Sequence, residues 1–226
     1  MSTENRNTVD EADTKPWVRR QGDLDDQPIK EFELTSARRA LRLLKSKLGR
    51  DRLLELLKDE IEEADAFMHQ ELQRSAGQQA SGTVQLHAHG ISAGTFNRWL
   101  GAAFDREEVM LAAHPEHYVI HNVPGRPHIV ETLGDYVCSF FMVGWKESEH
   151  PTSQDDATVG RRSSLTLADG TVFGWVSTLF EEIPDGFIAT LTVTLPSSCA
   201  PELVDQHLEH FAVEFHSWIL AAAEQR

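Results

Sequence analysis

The segment DQHLEHFAVEFHSWIL, residues 205–220, is amphipathic. At about 100° per residue, Val204, Leu208, Phe211, Phe215 and Trp218 form an apolar stripe. Glu202, Asp205, Glu209 and His216 fall on the opposite side, and His207, His210 and Glu214 share a flank free of Lys and Arg. His210 and Glu214 are four apart, so their side chains can converge on one ion. Imidazole nitrogen and carboxylate oxygen together make half a site for zinc or another divalent first-row metal. A solvated helix flank is the competing reading.

Two further segments carry comparable chemistry. In HIVETLGDYV (128–137), Ile129, Glu131 and Leu133 alternate onto one strand face, so the carboxylate sits between apolar neighbours. A buried carboxylate needs a cation, a metal or several donors; an outward face, or pairing with Arg126, is the alternative. In HPEHYVIH (114–121), alternation places His117, Val119 and His121 on one face and Tyr118 and Ile120 on the other. Two histidines at i and i+2 can ligate a metal, although strand histidines are more often surface or hydrogen-bonded residues. His87 and His89 raise the same question.

These residues need elements to hold them. Residues 1–34 have few large apolar side chains and read as a disordered acidic tail. Thr35-Ser36 cap a helical pattern through Ala40, Leu41, Leu44 and Leu48, broken at Gly49. A second helix, from Asp51 to Leu72, carries Leu53, Leu57, Ile61, Ala64, Met68 and Leu72 at spacings of three and four. This stripe in the 35–75 extension suits docking on the following domain, a homodimer through the 36–72 helices, or another partner. Residues 75–82, SAGQQASG, read as a linker.

From residue 83 strands dominate: VQLHAH, then two short helices (92–104, 107–113), then HYVIHNV, HIVETLGDYV and SFFMVGW. A polar loop over 146–160 has the length of a lid. Strands 161–167, 171–180 and 187–195 follow, joined by Asp-Gly turns at Asp169-Gly170 and Asp185-Gly186. A long last helix starts near Pro201, with Ser197 or Ser198 as its cap.

Of 226 residues 40% are hydrophobic and 25% charged, and no apolar run reaches bilayer-spanning length. The acidic N-terminus lacks an apolar signal region and there are only two cysteines, which points to a cytoplasmic protein. Residues 76–226 hold 7 Lys/Arg, 19 Asp/Glu and 10 of the 11 histidines. That balance repels a phosphate backbone, so neither nucleic acid nor an anionic membrane is an expected partner. Histidines among carboxylates suit a bound cation or a solvated surface. There is no Gly-x-Ser-x-Gly elbow and no phosphate loop.

The order of strand, two short helices, six strands and a long helix resembles the helix-grip fold of the Bet v 1/START-like (SRPBCC) superfamily, over residues 83–226. The resemblance implies an α+β domain, its antiparallel sheet wrapped on the C-terminal helix, preceded by the N-terminal helical extension. It also implies a cavity for an apolar or aromatic small molecule. RWLGAAFDREEVMLAAHPEHY, HIVETLGDY and HFAVEF are similar to segments of the zinc-dependent diacetylphloroglucinol and phloretin hydrolases. That likeness implies Zn²⁺ on Glu131, His210 and Glu214. The position where that family has a further histidine reads Arg98-Trp99-Leu100-Gly101-Ala102-Ala103, so His117, His121 or His207 completes the set, or no metal binds.

In such a hydrolase the metal polarises an aryl ketone, hydroxide adds to the acyl carbon and the ring carbon leaves with a proton. The roles implied are phenol binding by Tyr118 and Tyr136, the only tyrosines, and proton donation by His117 or His121. The alternative is a metal-free helix-grip protein that binds or cyclises an apolar molecule, with Phe140, Phe141, Trp175 or Phe211 around the ligand. A third reading gives the 36–72 helices the function and leaves the domain as a scaffold.

Overall fold

The computed structural model describes residues 18–123, 126–144 and 158–225. The chain divides into two compact units, residues 1–43 and 44–226, and every residue of the site below lies in the second. The tail expected over 1–34 is described only from residue 18, and the polar stretch 146–157, with any lid, lies outside the described residues.

Helix α1 runs Gln27–Leu56, starting upstream of the expected Thr35-Ser36 cap, and is interrupted at Gly49 (φ 70°, ψ 168°) where the sequence predicts a break. Helix α2 is Lys58–Ser75. Its stripe docks within its own chain: Ala64 and Met68 are buried in the core, while Leu57, Ile61 and Leu72 are half-buried.

Strand β1 (Gln79–His89), helices α3 (Ala93–Ala103) and α4 (Glu107–Ala113) come next. Strands β2 (His117–Val123), β3 (Arg126–Leu133) and β4 (Tyr136–Val143) follow. Strands β5 (Thr158–Thr166), β6 (Val172–Ile183) and β7 (Gly186–Pro196) lead to the last helix, α5 (Pro201–Glu224). The strands form one antiparallel sheet in the order β1-β7-β6-β5-β4-β3-β2. A meander closed by the first strand pairing with the last, and gripping a C-terminal helix, is the expected helix-grip architecture. Phe96, Phe180, Phe187 and Phe215 pack at the centre of its core, with ring centroids 5.2–6.2 Å apart.

Two details differ from the sequence reading. The second half of the expected linker is strand: β1 starts at Gln79, with Ser81 and Thr83 hydroxyls bonded to Thr194 and Thr192 of β7. Gly82 serves packing there, since a Cβ would come within 2.7 Å of both Val204 and Leu208 on α5. The α5 N-cap is Ala200, followed by Pro201 as expected; Ser198 Oγ instead donates to the Glu71 carbonyl of α2.

A candidate metal centre beside an apolar cavity

Strand β2 is irregular where it matters. His117 pairs with Glu131, but the register shifts before Val119 pairs with Val130 and Ile120 with Ile129. The extra residue is a β-bulge, which leaves two residues opposite one and reverses the alternation. Consequently His117 shares the inner face with Ile120, Ile129 and Glu131. His121 falls on the outer face opposite His128, with Nδ1 3.8 Å from Glu107. This corrects the expectation that His117 and His121 act together.

The inner face of β2 and β3 meets the α5 flank. His117 Nε2 lies 3.0 Å from His210 Nε2 and 3.0 Å from Glu214 Oε2. Glu131 Oε2 is 3.6 Å from both imidazole Nε2 atoms. The four donor atoms all lie within 4.8 Å of one another, and all four residues are buried. The alternatives for Glu131 and for the helix flank, outward exposure and solvation, do not apply. Arg126 instead stacks on Phe141, 4.4 Å from the ring centroid.

The surroundings orient these donors. His117 Nδ1 donates to the Met110 carbonyl of α4 at 3.1 Å, which leaves the Nε2 lone pair aimed at the other three. His114 stacks on His210 with centroids 3.7 Å apart, and Glu116 Oε2 approaches His210 Nδ1 at 3.8 Å. Lys45 Nζ, from α1, donates to the carbonyls of Pro115 and His117 and pins the turn that carries all three.

A cation would balance the charge of this cluster. Burial pushes Glu131 up to about 7 and Glu214 up to about 8, with His210 pulling each back. Burial also holds His117 down at about 3 and His207 well below the usual histidine range. The ion-pair partners of both carboxylates are imidazoles, and burial keeps those of His117 and His207 neutral. Two buried carboxylates without a fixed cation are costly unless protonated or metallated. A tetrahedral ion with ligand bonds of about 2.0–2.1 Å has donors about 3.4 Å apart, close to the 3.0–3.6 Å found here. The donor set therefore fits a divalent metal such as zinc, and His117 is the further histidine that lies with Glu131, His210 and Glu214.

The carboxylates of Glu131 and Glu214 border a cavity whose wall is otherwise mostly apolar, including Phe104, Ile129, Phe140 and Phe211. The cavity volume is about 40 Å³, more than a single water requires. His207 also lines it, with Nε2 4.0 Å from Glu131 Oε1.

Other expected site residues lie elsewhere. Tyr118 Oη pairs with Thr132 Oγ1 at 3.1 Å, and Tyr136 stacks on Phe67 of α2 at 4.0 Å; neither lines the cavity. The bulge turns Tyr118 away, and docking of α2 occupies the Tyr136 ring. Of the four aromatics expected around a ligand, Phe140 and Phe211 line the cavity. Phe141 stacks on His128 and Trp175 lies beneath Arg162. Lys45, Glu116 and Met110 carried no signal, because each acts across the chain or through its backbone.

No protein-family model and no curated protein matches the sequence. The chain is similar to several solved structures. Ara h 8.0201 is 13% identical, with a TM-score of 0.45 over 66% of this chain and 100% of that one. The Zhui aromatase/cyclase from Streptomyces sp. R1128 is 14% identical, with a TM-score of 0.38 over 66% and 94%. Norcoclaurine synthase from Thalictrum flavum is 8% identical, with a TM-score of 0.39 over 63% and 91%. The helix-grip class rests on the strand order and the last helix described above. Among the described residues, no helix is long and apolar enough to cross a membrane.

Proposed function

We propose that this chain is a metal-dependent helix-grip hydrolase, using zinc to cleave the carbon–carbon bond between the acyl group and ring of an acylated phenol or related aromatic ketone. The observation that carries it is the convergence of His117, Glu131, His210 and Glu214 in a buried cluster whose carboxylates face an apolar cavity. A divalent ion held there, with room for one more ligand beyond the four side chains, would supply Lewis acidity toward a carbonyl oxygen and a water that ionises near neutral pH.

The chain's own residues account for the rest. The apolar wall takes the ring and excludes bulk water. His207, facing the cavity, is the imidazole proposed to take the proton released as water adds to the acyl carbon and hand it to the departing ring carbon, in place of His121 and the tyrosines. The balance is simple: water adds OH to the acyl carbon and H to the ring carbon, giving a carboxylic acid and a free phenol.

The test is zinc content after purification without chelator, followed by release of carboxylate from an acylphenol. Near-stoichiometric zinc, lost in His210→Ala and Glu214→Ala together with hydrolysis, is the expected result. A folded chain that takes up no added zinc overturns it. The second reading is then a metal-free protein that binds or cyclises an apolar molecule, favoured by the predominantly apolar wall and the absence of a tyrosine from it.

A further inference from the structure

Two residues of the cavity wall carry buried polar atoms that the candidate metal cluster does not use. Trp218 Nε1 and Thr178 Oγ1 are buried without a hydrogen-bond partner, although both residues line the cavity and each is 5% exposed. Trp218 stands one turn after Glu214 on α5, its ring 6.0 Å from His117 and 5.2 Å, edge to face, from Phe215. Thr178 is on β6. Its neighbour Val176 also lines the cavity and pairs with Ser163, whose buried hydroxyl is likewise unpartnered.

An unpaired buried donor is costly, and such groups in a native cavity call for an occupant that satisfies them. Indole N–H can only donate, so the occupant must bring an acceptor; the threonine hydroxyl can donate or accept. A hydrocarbon would fill the apolar wall and leave both atoms orphaned.

We propose that Trp218 and Thr178 form an oxygen-recognition subsite that selects oxygenated aromatic ligands, phenols or aryl ketones, over hydrocarbons of the same size. Trp218 Nε1–H donates to an oxygen of the bound compound, and Thr178 Oγ1 serves the same oxygen or its neighbour. This rests on the proposed reading only in taking the cavity as a ligand site, and is independent of the metal.

The experiment uses the full chain, with and without zinc, labelled with ¹⁵N at the indole nitrogens. Its probes are 2,4,6-trihydroxyacetophenone and ethylbenzene. The Trp218 indole proton, assigned with Trp218→Phe, should move downfield with the ketone and not with the hydrocarbon. Trp218→Phe keeps a ring and removes the donor, so ketone affinity should fall about tenfold while ethylbenzene affinity stays within about twofold. Thermal stability should not drop, because the variant deletes an unsatisfied group. Equal losses for both probes, no downfield shift, or no binding of either overturns the subsite. A shift that persists in a chain unable to bind zinc supports the subsite while the hydrolase reading fails.

Discussion

His117 and His210 meet Nε2 to Nε2 at 3.0 Å, although they come from a strand and a helix and stand 93 residues apart in the chain. With the His117 Nδ1 proton committed to the Met110 carbonyl, the contact requires His210 Nε2–H to donate to His117 Nε2. A metal would replace that shared proton. His117→Ala should therefore abolish zinc uptake while His121→Ala leaves it intact, as read by metal analysis. Loss in both variants would restore the paired-histidine reading of β2.

Metal removal should change how stability depends on pH. Glu131 and Glu214 hold protons up to about 7 and 8 in the metal-free fold, above the 4.5 of an exposed carboxyl. The native state then binds more protons than the unfolded chain, so their contribution falls as pH rises through those values. His117, lowered to about 3, acts in the opposite sense only below about 6.5. Lys45, lowered to about 8 by burial, begins to oppose them only above that. Metal-free protein should thus lose stability between about pH 6.5 and 8, and zinc should remove the trend. Urea denaturation at several pH values measures it, and a metal-free profile that is flat or rising there contradicts the assignment.

Lys45→Met keeps the length of the side chain and removes both bonds to the 115–117 turn. A loss of about 2 kcal/mol in denaturant stability is expected, with weaker zinc retention against a chelator. Lys45→Arg should recover part of both. Unchanged zinc retention would make Lys45 a purely structural clamp.

Tyr118→Phe and Tyr136→Phe should leave ligand affinity and zinc content unchanged, since neither hydroxyl reaches the cavity. A loss of affinity or of hydrolysis in either variant would return the tyrosines to the site.

What sequence pattern revealed follows from what is periodic. His210 and Glu214 were legible because helical spacing sets their flank, and Glu131 because a regular strand alternates. The element order of the domain was legible because Asp-Gly turns and a long apolar-striped helix mark it locally. His117 could be named but not separated from His121, since the bulge leaves no mark in composition. Residues 79–82 looked like a linker because small residues that let α5 approach a strand resemble flexible ones. Lys45 and Trp218 gave no warning: one acts on carbonyls about 70 residues away, the other through a donor left unpaired inside a core stripe.

The bulge in β2 also makes the strand a hybrid of two phases. His117 obeys one inside–outside rhythm, and everything from Val119 onward obeys its mirror. A deletion of one residue at Tyr118 would merge the phases without changing any candidate ligand, sending His117 to the outer face or dragging Ile120 out of the cavity wall. The candidate metal cluster and the hydrophobic wall beside it thus share a single spacer residue. A change of length there would take His117 out of the cluster with every histidine and glutamate still in place.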